Sequence, residues 1–342
     1  MRTLVLALAG AGTAVIAASA AVAQTSIRID SWVSPRHQQN AIVLPGWAKQ
    51  VEEATQGRVT AAISYPPNVN PATFFDRTVD GISDVVWGFH GYNAQRFVLT
   101  QIVELPGLDA DAREASVAYW RIHEKHLKKF EEHKGVHILT VFSHGPGVLH
   151  SRQPVTSIDS FKGLKVRIGG GVSTDVANAL GMVQVHAPAP KVYEILAQGV
   201  ADAVLMTMEV KTSFKLAEVT PHTLVVPGGI YYGTFFTAMN PDKFNKLGRQ
   251  DQEAVMRVSG EALANLTGKA WAEADDSAVG EAKAAGNTIA NASPALAQAI
   301  KARLAGIERD WIERAQKKGM ANAKDVLAEL RAEVAKIKTE KK

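Results

Sequence analysis

The 342-residue chain contains no cysteine, which excludes disulfide scaffolds, thiolate zinc sites, iron–sulfur clusters and cysteine nucleophiles. It also lacks a strong excess of either charge, since 38 Lys and Arg residues face 34 Asp and Glu residues. The net charge of +4 indicates no clustered basic face, so nucleic acid is not expected as a partner. The residues that are present, 46% hydrophobic and 21% charged, are typical of a globular protein of about two domains.

Long apolar runs are absent except over residues 1–23. Arg2 is the only charge before Arg28, and the run closes with Ala21–Ala23 before Gln24. A short positive segment, an apolar stretch and an A-x-A site predict a signal peptide that is cleaved near Ala23–Gln24. A membrane anchor is the alternative, but it needs about 20 strongly apolar residues and this stretch is rich in Ala and Gly. We therefore expect an exported, periplasmic chain.

The chain from residue 24 onward alternates between the two periodicities of strands and helices. Strands are predicted at 26–31, 59–65, 84–88, 137–143, 163–168, from 185, and at 201–206, 223–227 and 231–240. Helices are predicted at 41–55, 74–80, 113–132, 172–180, 191–198, 249–285, 295–318 and 324–338, with Gly260, Gly268 and Gly280 as candidate interruptions of the long one. This alternation is typical of α/β architecture. Because no Gly/Pro/Ser-rich linker is present, we expect two lobes that the chain crosses repeatedly, with a ligand cleft between them.

Motifs of enzymes are not found. The sequence has no GxSxG, HExxH, Walker A or GxGxxG pattern, so we predict a protein that is not an enzyme and holds no cofactor. Gly169–Gly171 lies between a predicted strand and helix, but the following residues do not complete a dinucleotide loop. We interpret it as a tight loop whose neighbouring helix start can assist anion binding.

The histidines form two groups. One lies on and after the charged helix at 113–132, where we expect a solvated face and no metal site: His123, His126, His133 and His137. The other follows predicted strands and is a candidate to line the cleft: His37, His90 and His144.

Arg167 is the most informative charged residue. It lies in an otherwise apolar strand just before the glycine loop, and strand carboxyl ends face the ligand crevice in open α/β sheets. A guanidinium binds a carboxylate through two parallel hydrogen bonds. The alternative is an edge-strand arginine in a salt bridge, and spacing alone does not decide between them.

Short motifs follow one another along the chain: Trp47–Val59 (ending Gly-Arg-Val), Tyr65-Pro66, Val79–Asp84, Phe161–Arg167, Ala179–Gly181, Val192–Glu194, Gln198–Ala203, Asn240–Leu247 and Asp251–Glu253. In this order they resemble the solute-binding proteins of TRAP transporters, the DctP-like family. The resemblance implies a two-lobed periplasmic binding protein with a mixed sheet in each lobe and a long helix crossing both. It implies lobe I at 24–147, with 236–270 returning to it, and lobe II at 148–235, with 271–342 packing on or across it.

The resemblance also implies a function. Such proteins deliver an organic acid to an ion-gradient-driven membrane permease, and their carboxylate-binding arginine falls on Arg167. The expected partners are a small carboxylate and TRAP permease subunits, with membrane contact only through the permease, and the chain is expected to be a monomer. The alternatives are an ABC-type binding protein and a secreted enzyme with an unrecognised site.

The chain departs from the sialic-acid-binding branch of that family. Gly147 stands where that branch has a second arginine, and Met206 stands where it has an asparagine. A polyhydroxylated ligand needs many paired hydrogen bonds, so we expect instead a monocarboxylate with an apolar or aromatic body. The predicted ligand-binding residues are Arg167, Trp87, Phe89, His90, His37, Met206, Tyr231, Tyr232 and Gly169, and no metal site is predicted.

Overall fold

The computed structural model describes residues 24–340, so the predicted signal peptide lies outside the described residues. The strands are Thr25–Asp30 (β1), Val59–Ser64 (β2), Val85–Phe89 (β3), His137–Ser143 (β4), Val148–Ser151 (β5), Lys165–Ile168 (β6), Val183–His186 (β7), Ala203–Met206 (β8), His222–Val225 (β9), Thr234–Met239 (β10) and Thr288–Asn291 (β11).

The helices surround these strands. They are Leu44–Ala54 (α1), Phe74–Val79 (α2), Ala112–Ile122 (α3), Val172–Ala179 (α4), Val192–Ala197 (α5), Val210–Ser213 (α6), Pro241–Asn245 (α7), Arg249–Arg257 (α8), Gly260–Ala284 (α9), Pro294–Lys317 (α10) and Ala323–Glu340 (α11). Across residues 24–340, none of the helices has both the length and the apolar character that a bilayer crossing requires.

The strands form two mixed sheets. The first has the order β2-β1-β3-β10-β4, with β10 antiparallel to both neighbours. The second has the order β11-β9-β5-β8-β6-β7, with β5 antiparallel to β8 and β9. The chain therefore passes from the first sheet to the second after β4, returns at β10, and reaches the second again at β11. Together with helices packed on both sheets, this confirms the predicted two-lobed α/β fold class.

Helix α9 connects the two sheets. It packs against β4 of the first sheet and against α6 and β11 on the side of the second. At about 1.5 Å per residue its 25 residues span roughly 37 Å, long enough to run along both lobes. This is the long crossing helix that the sequence predicts.

The structure refines three local predictions. Residues 249–285 form two helices, and the break falls at one of the candidate interruptions, because Gly260, the first residue of α9, adopts a φ of +56°. The helix predicted at 113–132 ends as an α-helix at Ile122 and continues in π and 3₁₀ turns to Phe130. Strand β5 was not predicted, because its four residues include His150, which is buried between Thr223 and the Thr207 carbonyl.

Candidate ligand-binding cavity

A cavity lies where strand ends of both sheets meet helix α9. The first sheet supplies Trp87 and Phe235, the second supplies Arg167 and Met206, and α9 supplies Trp271. The lining residues are Trp32, His37, Trp87, Phe89, Tyr92, His144, Arg167, Gly169, Ser173, Ala189, Met206, Thr207, Glu209, Phe214, Tyr231, Phe235 and Trp271. A concave, mostly apolar wall with a few polar groups is typical of a small-molecule site.

Arg167 supplies the cation of the cavity. Its side chain is 3% exposed, and its Nε and Nη2 both donate to the Ala187 carbonyl oxygen on the strand-end loop of β7. Within residues 24–340 no carboxylate forms an ion pair with it, so the edge-strand salt-bridge alternative does not apply. A buried guanidinium without an anionic partner is costly, and a bound carboxylate would supply that partner.

Tyr92 provides a second polar atom beside Arg167. Its hydroxyl oxygen accepts a hydrogen bond from the Ala189 backbone N–H at 2.8 Å, so its own proton stays available to a ligand. Burial raises the pKa of Tyr92, whereas the charge of Arg167 and the hydrogen bonds it receives lower it. The phenol therefore stays protonated and can donate at neutral pH.

The cavity wall is built from aromatic faces. Each indole N–H at the wall already has a protein acceptor: Trp32 donates to the Trp87 carbonyl, Trp87 to Ser31 Oγ, and Trp271 to Gln39 Oε1. The Trp32 and Trp87 rings stack with centroids 4.3 Å apart. Because the indole donors are occupied, these rings offer a ligand only apolar faces and edges.

Tyr231 occupies the space that a longer side chain at position 147 would need. A Cβ on Gly147 would lie 2.2 Å from Tyr231 Cε1. The Tyr231 hydroxyl donates to the Leu205 carbonyl oxygen at 2.9 Å, which holds the ring against the wall. The glycine that replaces the second arginine of sialic-acid-binding proteins therefore leaves room for an aromatic ring.

Two neutral histidines line the cavity with opposite tautomers. Nδ1 of His37 accepts the Gln39 backbone N–H at 3.1 Å, so its proton lies on Nε2. Nδ1 of His144 donates to the Gly145 carbonyl oxygen at 2.6 Å, so its Nε2 is an acceptor. Burial lowers the pKa of His37 to about 3 and that of His144 to about 4, which keeps both rings uncharged at neutral pH.

Glu209 is a carboxyl group at the cavity wall. It follows β8, is 3% exposed, and accepts hydrogen bonds from Thr207 Oγ1 at 3.2 Å and from Ser213 Oγ. Its backbone N–H donates to Asp275 of α9 at 2.8 Å. Burial raises the pKa of Glu209 to about 7, although the hydroxyl donors lower it.

The structure brings most of the predicted residues together. Of the nine predicted residues, the cavity is lined by seven: Arg167, Trp87, Phe89, His37, Met206, Tyr231 and Gly169. His90 and Tyr232 are corrections, because neither lines this cavity. The Tyr232 hydroxyl donates to the Ala110 carbonyl, away from the site. His90 packs in a separate core, where its Nε2 meets Nε2 of His133 at 2.8 Å.

His90 belongs to a hydrogen-bond chain that ends at α4. Its Nδ1 meets Thr234 Oγ1 at 3.1 Å, and that hydroxyl donates to Glu104 Oε1 at 2.7 Å. The other oxygen of Glu104 accepts the Val172 backbone N–H at 2.9 Å. The helix start that was expected to assist anion binding is therefore occupied by a carboxylate of this chain.

The glycine loop allows this close approach. A Cβ on Gly170 would lie 2.2 Å from the Gly91 carbonyl oxygen, and one on Gly171 would lie 2.3 Å from Glu104 Oε2. Both glycines also have positive φ, at 106° and 65°. The glycines of this loop thus allow it to lie against Gly91 and Glu104, and a phosphate-binding role is not needed to explain them.

The expected solvated face of histidines also needs correction. His123 and His133 are buried, at 3% and 8% exposure, and burial is the main reason why their pKa values are lowered. His126 is hydrogen-bonded to Glu329 at 2.9 Å. In the described part of the chain, no set of three or more His, Asp or Glu side chains is placed to hold a metal ion.

Ten wall residues lie outside the nine predicted ligand-binding residues, although the sequence marks one of them, His144, as a candidate to line the cleft. They are Trp32, Tyr92, His144, Ser173, Ala189, Thr207, Glu209, Phe214, Phe235 and Trp271. Glu209 follows the carboxyl end of strand β8, and Arg167 lies near the carboxyl end of β6, so the placement of Glu209 is a signal that sequence reasoning could have used. Trp271 gives no such signal, because it lies on α9 and reaches the cavity only through tertiary packing.

Comparison with known proteins identifies the family. The family model of the bacterial extracellular solute-binding proteins, family 7 (DctP), matches residues 31–314. A TRAP periplasmic solute-binding protein from Bordetella bronchiseptica, solved with bound (R)- and (S)-mandelate, is 38% identical with a TM-score of 0.89. The alignment covers 92% of this chain and 99% of that one.

Two further solved structures are also similar. A TRAP solute-binding protein from Rhodoferax ferrireducens, in complex with copurified benzoate, is 26% identical with a TM-score of 0.86; 93% of this chain and 100% of that chain are covered. A marine metagenome TRAP solute-binding protein specific for aromatic acid ligands, in complex with 3-hydroxybenzoate, is 28% identical with a TM-score of 0.85; 92% and 99% are covered.

Proposed function

The chain belongs to the bacterial extracellular solute-binding proteins of family 7, and we propose that it captures an aromatic monocarboxylate. The observation that carries this proposal is a single buried arginine without an anionic partner in residues 24–340, set in a wall of aromatic rings. The carboxylate binds Arg167 and Tyr92, and the ring of the ligand packs among Trp87, Phe89 and Phe235. Relatives that bind mandelate, benzoate and 3-hydroxybenzoate support the same ligand class.

Charge and shape disfavour other acids. A second carboxylate on the ligand would need a second cation, and Arg167 is the only Lys or Arg that lines the cavity among residues 24–340. A sugar acid would need partners for several hydroxyls, whereas most of the wall is aromatic or otherwise apolar. An aromatic monocarboxylate matches one cation and an apolar wall.

Delivery of this ligand to a TRAP permease is the second part of the proposal. The protein acts in the periplasm after removal of residues 1–23, works as a monomer, and touches the membrane only through the permease. We assign lobe I to 24–147 with 236–270, and lobe II to 148–235 with 271–342 packing on or across it, so that the cavity lies between the lobes. The ligand is released unchanged, because the site is built for binding.

Calorimetry of the wild-type chain tests the ligand class. Benzoate and benzamide have nearly the same shape, but only benzoate carries the charge that Arg167 requires. We expect benzoate to bind one molecule per chain and benzamide to bind at least about 100-fold more weakly, since a charged hydrogen-bonded pair contributes several kcal/mol. Equal affinities would contradict carboxylate recognition. Nuclear magnetic resonance of the recovered ligand separates binding from catalysis, because an enzyme would convert it.

A further inference from the structure

The polar atoms of the cavity wall are not confined to the neighbourhood of Arg167. Glu209 and His37 form a second polar group, and His37 Nε2 lies 4.0 Å from Glu209 Oε1. Arg167 and Glu209 form no ion pair with each other, so the cavity keeps its cation and its carboxyl group apart. Each group is at most 3% exposed, and carboxylate binding at Arg167 makes no use of this second pair.

The Glu209 carboxyl group has unused capacity to accept hydrogen bonds. Its oxygens receive one hydroxyl donor each, from Thr207 and Ser213, and the Gln38 amide is a third hydrogen-bond partner, whereas the two oxygens of a carboxylate together can accept four. Within residues 24–340 no Lys or Arg nitrogen lies within 4.0 Å of it. A buried carboxyl group with few donors is costly to maintain, and a donor on the ligand would reduce that cost.

His37 faces Glu209 with an N–H donor that forms no hydrogen bond to an acceptor within residues 24–340. Since its Nδ1 accepts the Gln39 backbone N–H, the neutral ring carries its proton on Nε2. A separation of 4.0 Å is too long for a direct hydrogen bond between Nε2–H and the carboxyl oxygen. An oxygen atom at ordinary hydrogen-bond distance from both groups, about 2.8 Å, fits beside this gap.

We propose that Glu209 and His37 form a subsite for a ring hydroxyl group, so that the preferred ligands are hydroxylated aromatic monocarboxylates. A hydroxyl accepts from His37 Nε2–H and donates to Glu209 Oε1 at the same time. An ammonium group has no acceptor for His37, and a second carboxylate has no donor for Glu209. The neighbouring rings of Phe214 and Trp271, with centroids 5.8 and 5.3 Å from that of His37, place this subsite among aromatic faces.

This inference rests on the proposed function, because the carboxylate must be held at Arg167 for the ring hydroxyl to reach the subsite. The protein solved with 3-hydroxybenzoate shows that a relative accepts such a ligand. The relative solved with benzoate shows that the fold also accepts a ring without a hydroxyl. The Glu209–His37 pair predicts which of these two chemistries this chain prefers.

The test is calorimetry with benzoate, 3-hydroxybenzoate and 4-hydroxybenzoate on the wild-type chain, Glu209→Gln and His37→Phe. We expect one hydroxylated acid to bind the wild-type chain at least about 10-fold more tightly than benzoate, since its hydroxyl forms two buried hydrogen bonds that benzoate cannot form. Each substitution should reduce that preference to about threefold or less. The preference is a ratio of two affinities measured on the same variant, so a general loss of binding cancels, and urea denaturation shows that each variant is folded.

Mandelate and phenylacetate provide a matched ligand control, since their difference is a hydroxyl next to the carboxylate. Glu209→Gln should leave the ratio of the mandelate and phenylacetate affinities unchanged. If this substitution changes that ratio as much as it changes the ratio of the hydroxybenzoate and benzoate affinities, the inference is overturned. Equal binding of benzoate and both hydroxybenzoates by the wild-type chain would also overturn it, and this comparison needs no variant. If no aromatic acid binds the wild-type chain, the proposed function itself fails.

Discussion

Individual residues decide which ligand this cavity can hold. Arg167 supplies one cation. Position 147 cannot supply a second, because it is a glycine and the Tyr231 ring fills the space beside it. Met206 adds an apolar contact where a sialic-acid-binding protein has an amide. The sequence predicted the consequence of both replacements, a less polar ligand, since they follow from side-chain chemistry alone. It did not predict that an aromatic ring takes the place of the arginine, because that contact joins residues distant in sequence.

Gly147→Ala is expected to destabilise the protein by about 1–3 kcal/mol, as overpacking of a core does. The added Cβ would meet the Tyr231 ring at 2.2 Å and its carbonyl oxygen at 2.9 Å, so the ring or the backbone must move. Urea denaturation measures the loss. Gly280→Ala is the matched control, because a Cβ there meets no atom within 4 Å and alanine favours the helix by about 0.5–1 kcal/mol. Equal effects of the two substitutions would contradict the packing argument.

At the scale of secondary-structure elements, local sequence patterns predict most of the fold. The alternation between strand and helix periodicity predicted most strands and helices, because each pattern depends only on residues close together in sequence. The sequence marks Gly260 as a candidate break, because glycine adopts a positive φ readily, but it does not show which of three glycines breaks the helix. The burial of His150 depends on Thr223 and needs tertiary information. The start of α4 gives the clearest case. Its partner Glu104 lies 68 residues earlier in the chain, and no local pattern indicates that pairing.

Glu104→Ala should lower the free energy of unfolding by about 1–3 kcal/mol for each buried group that it leaves unpaired. The groups concerned are the Val172 backbone N–H and the Thr234 hydroxyl, which donate to the two carboxylate oxygens. Chemical denaturation gives the measurement. Glu104→Gln keeps one carbonyl acceptor and should recover part of the loss. If alanine and glutamine variants are both as stable as the wild-type chain, Glu104 does not hold α4.

At the scale of the whole molecule, the described chain buries many titratable groups without charging them. Burial lowers the pKa of five histidines to about 3 or 4: His37, His90, His123, His144 and His150. It raises the pKa of Glu104 and Glu209 to about 7. The buried histidines therefore stay uncharged at neutral pH, whereas Glu104 and Glu209 change their charge close to it.

These shifts predict how stability depends on pH. Below pH 6.5 these histidines bind protons in the unfolded chain, whereas in the folded chain they stay neutral. Their contribution to stability is therefore lost as the pH falls toward 4. Five carboxyl groups with raised pKa values act oppositely and favour the folded state as the pH falls: Glu104, Glu132, Asp175, Glu209 and Asp275. Seven histidines with lowered pKa values outnumber them, because burial also lowers the pKa of His133 and His137. We expect the chain to take up at least one net proton when it unfolds between pH 6 and 4.5. The free energy of unfolding should then fall by about 1.4 kcal/mol for each pH unit of acidification. Urea denaturation across this range checks it, and stability that rises on acidification would contradict it.

The central claim is that Arg167 binds the carboxylate of an aromatic acid, and titration calorimetry of Arg167→Ala with the tightest-binding aromatic acid tests it most directly. The exposed Arg36→Ala variant loses the same charge away from the cavity and serves as the control. Truncating one side of a buried charge pair costs about 2–5 kcal/mol, so we predict an affinity lower by about 30- to 5,000-fold for Arg167→Ala and by less than about threefold for Arg36→Ala. An Arg167→Ala protein that binds within about threefold of the wild-type chain would contradict the account.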